Sequence, residues 1–144
     1  MIQYTMPLIY VTGISGSGKS SVCKALIKRG YEAHDADGES INRWRNKVTG
    51  KIRKNAGRKE VATKGWLEMY SWDTSRKKVE KLAQKAKNRL IFLCGASANE
   101  EIVWDLFDKV ICLIIDQDTL RKRLATRTTN DFGKASHELE NVLE

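Results

Sequence analysis

The sequence predicts an α/β fold built on a parallel sheet, and three observations carry that prediction. Continuous apolar runs at residues 8–11, 90–94 and 110–115 read as strands buried on both faces. Segments with apolar residues at helical spacing lie between them: Val22, Ala25 and Leu26 after the first run, and Val79, Leu82, Ala83 and Ala86 before the second. Glycine-rich or polar turns follow the strands, as at residues 12–18 and 95–99. Strands alternating with helices call for right-handed crossovers on a parallel sheet, and ligands then gather at the carboxyl ends of the strands.

At 144 residues the chain reads as a single domain, 1–144, large enough to bury a core. Hydrophobic residues make up 41% and charged residues 31%, the balance of a soluble globular protein. No apolar run approaches the ~20 residues of a membrane span, and no basic n-region marks a secretory signal. A cytoplasmic location is therefore expected. Cys23, Cys94 and Cys112 match no metal-ligand spacing and read as buried, reduced thiols. The net charge of +8 is uneven: residues 41–90 hold 16 Lys/Arg against 4 Asp/Glu, the remainder 10 against 14. Such a basic excess suggests an anionic partner, either a phosphorylated substrate or nucleic acid, unless it is simply a solvated helical surface.

Each element has a local reason. The first helix runs from Lys19 to Arg29 and ends at Gly30, a C′ residue. Residues 31–34 form a short second strand that runs into Asp35-Ala36-Asp37-Gly38, a tight turn. Residues 40–47 read as a short helix, with Ile41, Trp44 and Val48 at helical spacing. Residues 49–58, four of the ten basic, read as the least ordered stretch. Trp66, Leu67, Met69, Tyr70 and Trp72 read as core or lid packing more than as a nucleic-acid stacking platform. Residues 74–88 form a helix. Asn99 caps another through residue 107, Asp118 caps one over 119–126, and a last short helix covers 136–144.

The strand at 8–11 leads into Gly13-x-x-x-x-Gly18-Lys19-Ser20 and then a helix, the phosphate-binding P-loop pattern in its strand–loop–helix context. Glycines admit backbone angles and close approach that a Cβ blocks, so the loop N–H groups converge on a phosphate at the positive end of a helix dipole. The nucleotide-binding set is Gly13, Ile14, Ser15, Gly16, Ser17, Gly18, Lys19, Ser20 and Ser21. Lys19 would reach the β- and γ-phosphates, and the Ser20 hydroxyl would bind Mg²⁺.

With the P-loop, Asp35/Asp37, Gly95-Ala96-Ser97 and the arginines after the last strand, the chain resembles the small P-loop kinases, such as shikimate, gluconate, adenylate and dephospho-coenzyme A kinases. The likeness runs from Leu8 to about Gly133, and the part from Leu90 onward also resembles bacterial P-loop proteins described as ATP-binding or predicted nucleoside kinases. It implies a P-loop NTPase three-layer sandwich with strand order 2-3-1-4. Four strands are counted, and the fifth strand of such kinases is missing from the pattern. It implies a substrate-binding helical insert at about 38–72 and a lid at about 127–136. By the same resemblance Asp35 is the base and Asp37 a second substrate or metal-water ligand, while Gly95, Ala96 and Ser97 lie against the acceptor. Arg123 would stack on the adenine, and Arg127 would clamp the transferring phosphoryl group. No carboxylate ends the strand at 90–94, a departure that fits the shikimate-kinase-like group better than motor or AAA-type ATPases.

The sequence thus points to an ATP·Mg²⁺-dependent kinase acting on a hydroxyl or phosphate of a small metabolite, a nucleoside or nucleotide among them. Arg43, Arg45 and Arg53 would hold an anionic acceptor, and the chain would be a monomer or homodimer. The rival reading is a nucleotide-binding module without turnover that uses the basic 41–90 surface on nucleic acid or a protein partner. A GTPase is disfavoured, because no Asn-Lys-x-Asp guanine-reading motif occurs.

Overall fold

The structure is a computed structural model, and it describes residues 7–126. Strands β1 (Leu8–Thr12), β2 (Glu32–Asp35), β6 (Ile91–Cys94) and β7 (Lys109–Cys112) form one parallel sheet in the order β2-β6-β1-β7. Counting only these strands along the chain, the order is the expected 2-3-1-4. Among the described residues the parallel sheet has these four strands. The expected lid at 127–136 and the terminal helix at 136–144 lie outside the described residues.

Alternation along β1 splits its side chains between two layers. Leu8 and Tyr10 join Ile91 and Leu93 against Val79, Leu82 and Ala86 of helix α4 (Arg76–Ala86). Val11 and Cys94 face Cys23 of helix α1 (Lys19–Lys28) on the other side, with Ala33 beside them. One helix on each face of a parallel sheet is the three-layer arrangement the apolar runs require. The register sets Thr12 beside Cys112, Val11 beside Cys94, and Asp35 beside Cys94. The turns that leave these strands therefore emerge at one end of the sheet.

The insert is not helical. β3 (Asn42–Asn46) is flanked by β4 (Ile52–Arg53) and β5 (Tyr70–Thr74) in a small antiparallel sheet. Two one-turn helices, α2 (Arg58–Val61) and α3 (Trp66–Met69), lie between β4 and β5. Trp44, Tyr70 and Trp72 are residues that pack well on a pleated surface, and here that preference prevails over the Ile41/Trp44/Val48 spacing. Ile41 is buried in the main core, while Val48 is 94% exposed in the β3–β4 turn. Asn46 closes that turn, its Oδ1 accepting from the amides of Val48 and Thr49, both at 2.9 Å. Residues 49–58 are thus the hairpin return and its exit, and Arg53 is fixed to Glu60 through Nη2 at 3.0 Å from both carboxylate oxygens.

Further local expectations change for identifiable reasons. Residues 99–107 form two 3₁₀ turns, Glu100–Ile102 and Trp104–Leu106, rather than a capped helix. The Asn99 side chain is diverted to Thr74, accepting from its amide at 2.8 Å, so it caps nothing. Helix α5 (Gln117–Thr126) is capped by Asp116, not Asp118, through Thr119 N–H at 2.9 Å. Strand β7, expected to be buried, pairs among the described residues with β1 alone and is exposed along its length, with Val110 53% and Ile111 44% accessible. Cys112 is exposed with it. Cys23 and Cys94 are buried, and burial pushes both thiols up, Cys94 to about 12. No helix among the described residues is long and apolar enough to cross a membrane.

Leu93 is 1% exposed at the centre of the α4-side core. Leu93→Ala is expected to lower the unfolding free energy by about 3 kcal/mol in urea titration, with the fold's m-value retained. Val48→Ala, in the exposed hairpin, is expected to change it by less than about 0.5 kcal/mol.

Candidate active site

The loop between β1 and α1 takes a shape that only glycine adopts readily. Gly13, Gly16 and Gly18 have φ of 150°, 86° and 107°. At Gly16 the constraint is also steric, since an added Cβ would lie 2.6 Å from Leu120 Cδ1 of α5. That contact seats α5 against the loop, with Leu120 and Leu124 each 1% exposed. It also brings Arg123 to the site, its Nη1 3.6 Å from where a Gly18 Cβ would stand.

Helix α1 starts at Lys19 with no side-chain cap, so its first-turn N–H groups are open to an anion. Ser20 and Ser21 are exposed on that turn. Lys19 Nζ donates to the carbonyls of Gly13 at 2.6 Å and Ile14 at 2.8 Å, a local parking position on the loop. Ser17 Oγ is buried without a hydrogen-bond partner. Among the described residues no group of three or more His, Cys, Asp or Glu is placed to hold a metal ion. A Mg²⁺ ion, which keeps several waters and takes phosphate oxygens, needs only one or two protein ligands, and the Ser20 hydroxyl fits that demand.

Asp37 is the focus of the other half of the site. Its Oδ1 accepts from Asn42 Nδ2 at 3.0 Å and from Trp72 Nε1 at 3.0 Å. Asn42, 3% exposed, also donates to Ala96 O at 3.2 Å. Gly95 allows this closure, because a Cβ there would meet Ala36 Cβ at 2.7 Å and Asn42 Nδ2 at 3.2 Å. Asp37 is solvent-reachable as a residue, yet protein crowds its carboxyl. That crowding pushes the pKa up, against the two hydrogen bonds and with help from the Asp35 charge, while Lys19 opposes the rise. Asp35 ends β2, and its Oδ1 accepts from the Asp37 amide at 3.1 Å, which holds the turn. His34 lies 2.8 Å from Glu39 and 3.3 Å from Glu32.

The structure brings the P-loop, Asp37, Gly95 and Ala96 to one end of the sheet, together with Ser97, whose Oγ is buried and unpartnered. Arg43 lies in β3 beside Asn42, its Nε buried without a hydrogen-bond partner. Strand alternation and the Arg43↔Asp73 register set Arg43 on the face opposite Asn42 and Trp72. Arg45, on that same far face, donates to Asp73 at 2.6 Å. Arg127 lies outside the described residues.

Sequence reasoning missed several groups at this site. Glu100 Oε1 accepts from Tyr10 OH at 3.1 Å, Thr12 Oγ1 at 3.1 Å and Ser97 N–H at 3.2 Å, tying the strand-end turn to β1. Burial, and after it the Glu100 charge, push the Tyr10 phenol well above its ordinary pKa. Asn42 and Trp72 were also missed as partners of Asp37. Only the alternation of Asn42, Trp44 and Asn46 hinted that they lie on one strand face.

Solved structures share this architecture. A sugar kinase from Janibacter sp. HTCC2649 superposes with a TM-score of 0.53 at 16% identity, over 96% of this chain and 76% of that one. A shikimate kinase from Bacteroides thetaiotaomicron gives 0.52 at 20% identity, over 96% and 76%. A gluconokinase from Sinorhizobium meliloti 1021 gives 0.50 at 18% identity, over 97% and 75%. The chain thus has the fold of the small P-loop kinases, as the motif set implied. No curated protein matches the sequence. The family model that does match, over residues 9–143, is that of an AAA domain. With a glycine-shaped phosphate loop, the 2-3-1-4 sheet and a match over nearly the whole sequence, the chain belongs to the AAA domain family of P-loop proteins.

Proposed function

We propose that this protein is an ATP·Mg²⁺-dependent small-molecule kinase that transfers the γ-phosphoryl group to an acceptor hydroxyl. The observation that carries the reading is the common placement of an uncapped P-loop helix and a crowded carboxylate, Asp37, at one end of the sheet, with Asp37 inside the field of Lys19. The loop amides and Lys19 would hold the β- and γ-phosphates, Ser20 would ligate Mg²⁺, and Arg123 would lie along the nucleotide. The acceptor oxygen bonds to the γ-phosphorus as the bond to the β–γ bridging oxygen breaks, and ADP leaves. The hydroxyl proton passes to a carboxylate. The geometry favours Asp37 for that task over the Asp35 implied by resemblance, because burial raises the proton affinity of Asp37 while an Asp35 oxygen is engaged by the turn. Arg127 keeps the phosphoryl-clamping role proposed from the motif.

The rival reading, a module that binds nucleic acid without turnover, relies on the basic 41–90 stretch. Three of its arginines are engaged inside the domain: Arg45 with Asp73, Arg53 with Glu60, and Arg76 with Asp105 and Glu80. That favours the kinase.

Calorimetry with ATP·Mg²⁺ and GTP·Mg²⁺ is the direct check. Wild type is expected to bind ATP·Mg²⁺, and Lys19→Ala to weaken it by about tenfold or more, or roughly 1.4 kcal/mol. Absence of binding by wild type overturns the reading.

Asp37 supplies a second check that separates function from stability. Because folding raises its pKa, the folded state favours the protonated form. The resulting stability is fully present at low pH and is lost as pH rises through the folded value. Asp37→Asn is therefore expected to equal or exceed wild type in thermal stability at pH 7, with the difference closing at low pH. Phosphoryl transfer by Asp37→Asn is expected to fall at least about a hundredfold, as loss of a general base does. In wild type, kcat should decline as pH falls through the raised Asp37 value.

A further inference from the structure

We propose that the acceptor is an uncharged, hydroxyl-bearing ring compound, a sugar or the ribose of a nucleoside, seated against the indole of Trp72 beside Asp37. The inference rests on the kinase reading above and narrows it to a substrate class.

The first ground is charge. The side chains gathered around the acceptor end of the sheet include Asp35, Asp37 and Glu100. The cation felt at Asp37 is Lys19, which belongs to the phosphate loop. Two of the arginines expected to hold an anionic acceptor are engaged elsewhere, Arg45 by Asp73 and Arg53 by Glu60, and Arg43 leaves its strand on the same far face as Arg45. An acceptor carboxylate or phosphate here would face the like charge of Asp35, Asp37 and Glu100. A neutral acceptor meets no such penalty.

The second ground is shape and chemistry. Both side-chain donors to Asp37 fall on Oδ1, so its second oxygen keeps acceptor capacity for a substrate hydroxyl. Trp72 makes its bond to Asp37 at the solvent-facing rim. Its indole leans on Trp44 with ring centroids 4.9 Å apart at 59°, a tilted contact that leaves it partly exposed. Trp44 in turn is braced by Trp66 at 5.5 Å, and Trp66 is stacked on Tyr70 at 4.1 Å. A rigid aromatic wall beside a few convergent polar groups is the recognition pattern for a compact ring with an apolar face and hydroxyl edges. Ser97 Oγ, buried and unpartnered next to the Ala96 carbonyl that holds Asn42, adds a further hydroxyl at the same strand end.

The test is an acceptor panel with the full chain, ATP·Mg²⁺ and coupled detection of ADP. Pentoses, hexoses and nucleosides are compared with gluconate, shikimate and nucleoside monophosphates. The expected result is a neutral acceptor with kcat/KM at least tenfold above its acidic counterparts. Turnover of nucleosides but not free sugars, or the reverse, identifies the source and supports the class. Preference for an acid by tenfold overturns the inference and leaves the kinase reading standing. No turnover with any acceptor, although ATP·Mg²⁺ binds, overturns both.

Two Trp72 variants, each first shown to bind ATP·Mg²⁺ like wild type, separate wall from brace. Trp72→Leu removes the ring surface and is expected to raise acceptor KM at least tenfold. Trp72→Phe keeps a ring but loses the N–H donor that holds the Asp37 pKa down. Its acidic limb in the kcat/KM profile should therefore move to higher pH, with KM changed less than threefold. Unchanged KM in Trp72→Leu overturns the inference.

Discussion

The buried amide of Asn42 is the joint on which the acceptor half of this protein depends. One Nδ2 group serves both the Asp37 carboxylate and the Ala96 carbonyl, and so links the turn after β2, the turn after β6 and the first residue of the small sheet. Two backbone bonds run alongside it: the Asn42 amide to Ala36 O at 2.9 Å, and the Ser75 amide to Ile41 O at 2.9 Å. A buried donor with no water to fall back on must keep its partners, which makes this junction a strict geometric constraint. Because Asn42 starts β3 and is paired with Thr74 at the end of β5, the whole antiparallel insert inherits its position from this contact.

The nucleotide half follows a different logic. The P-loop holds few side-chain bonds of its own and is shaped by glycine φ angles and by Leu120 and Leu124 pressing on Gly16. Its Lys19 rests on loop carbonyls, a local arrangement that an arriving phosphate replaces with charge-assisted bonds. The acceptor half is the reverse: its Asp37 carboxylate is oriented by indole and amide donors, and burial raises the cost of its ionisation. The two halves meet through the field between Lys19 and Asp37, so a ligand in one changes the electrostatics of the other.

Much of this was legible in residue order. The phosphate loop was, because its glycines, lysine and serine must stand at fixed spacing to surround a phosphate. So were the four parallel strands, whose apolar runs and intervening helices admit few topologies, and the α4 stripe of Val79, Leu82 and Ala86. The insert was not. Ile41, Trp44 and Val48 have helical spacing, but Ile41 belongs to the main core and Val48 to a turn, so the period joined residues that serve different structures. Asn99 looked like a helix cap until Thr74, 25 positions earlier, claimed its side chain. Arg43 looked like a substrate ligand, and strand register sets it on the opposite strand face from Asn42, a relation spacing alone did not give. The run at 110–115 is apolar enough to be buried, yet among the described residues its strand pairs with β1 alone and is exposed.

What the sequence determined by itself was therefore the local chemistry: a loop that binds phosphate, a pair of aspartates at a strand end, and a basic, tryptophan-rich insert. Spacing along the chain encodes these directly, because each is built from near neighbours. Tertiary structure decided which groups face one another. It placed Trp72 and Asn42 on Asp37, brought Glu100 to Tyr10 and Thr12, delivered Arg123 to the P-loop, and committed Arg45 and Arg53 to internal ion pairs. Those pairings join residues far apart in the chain, and their energies depend on burial and strand register, quantities that exist only once the sheets have formed.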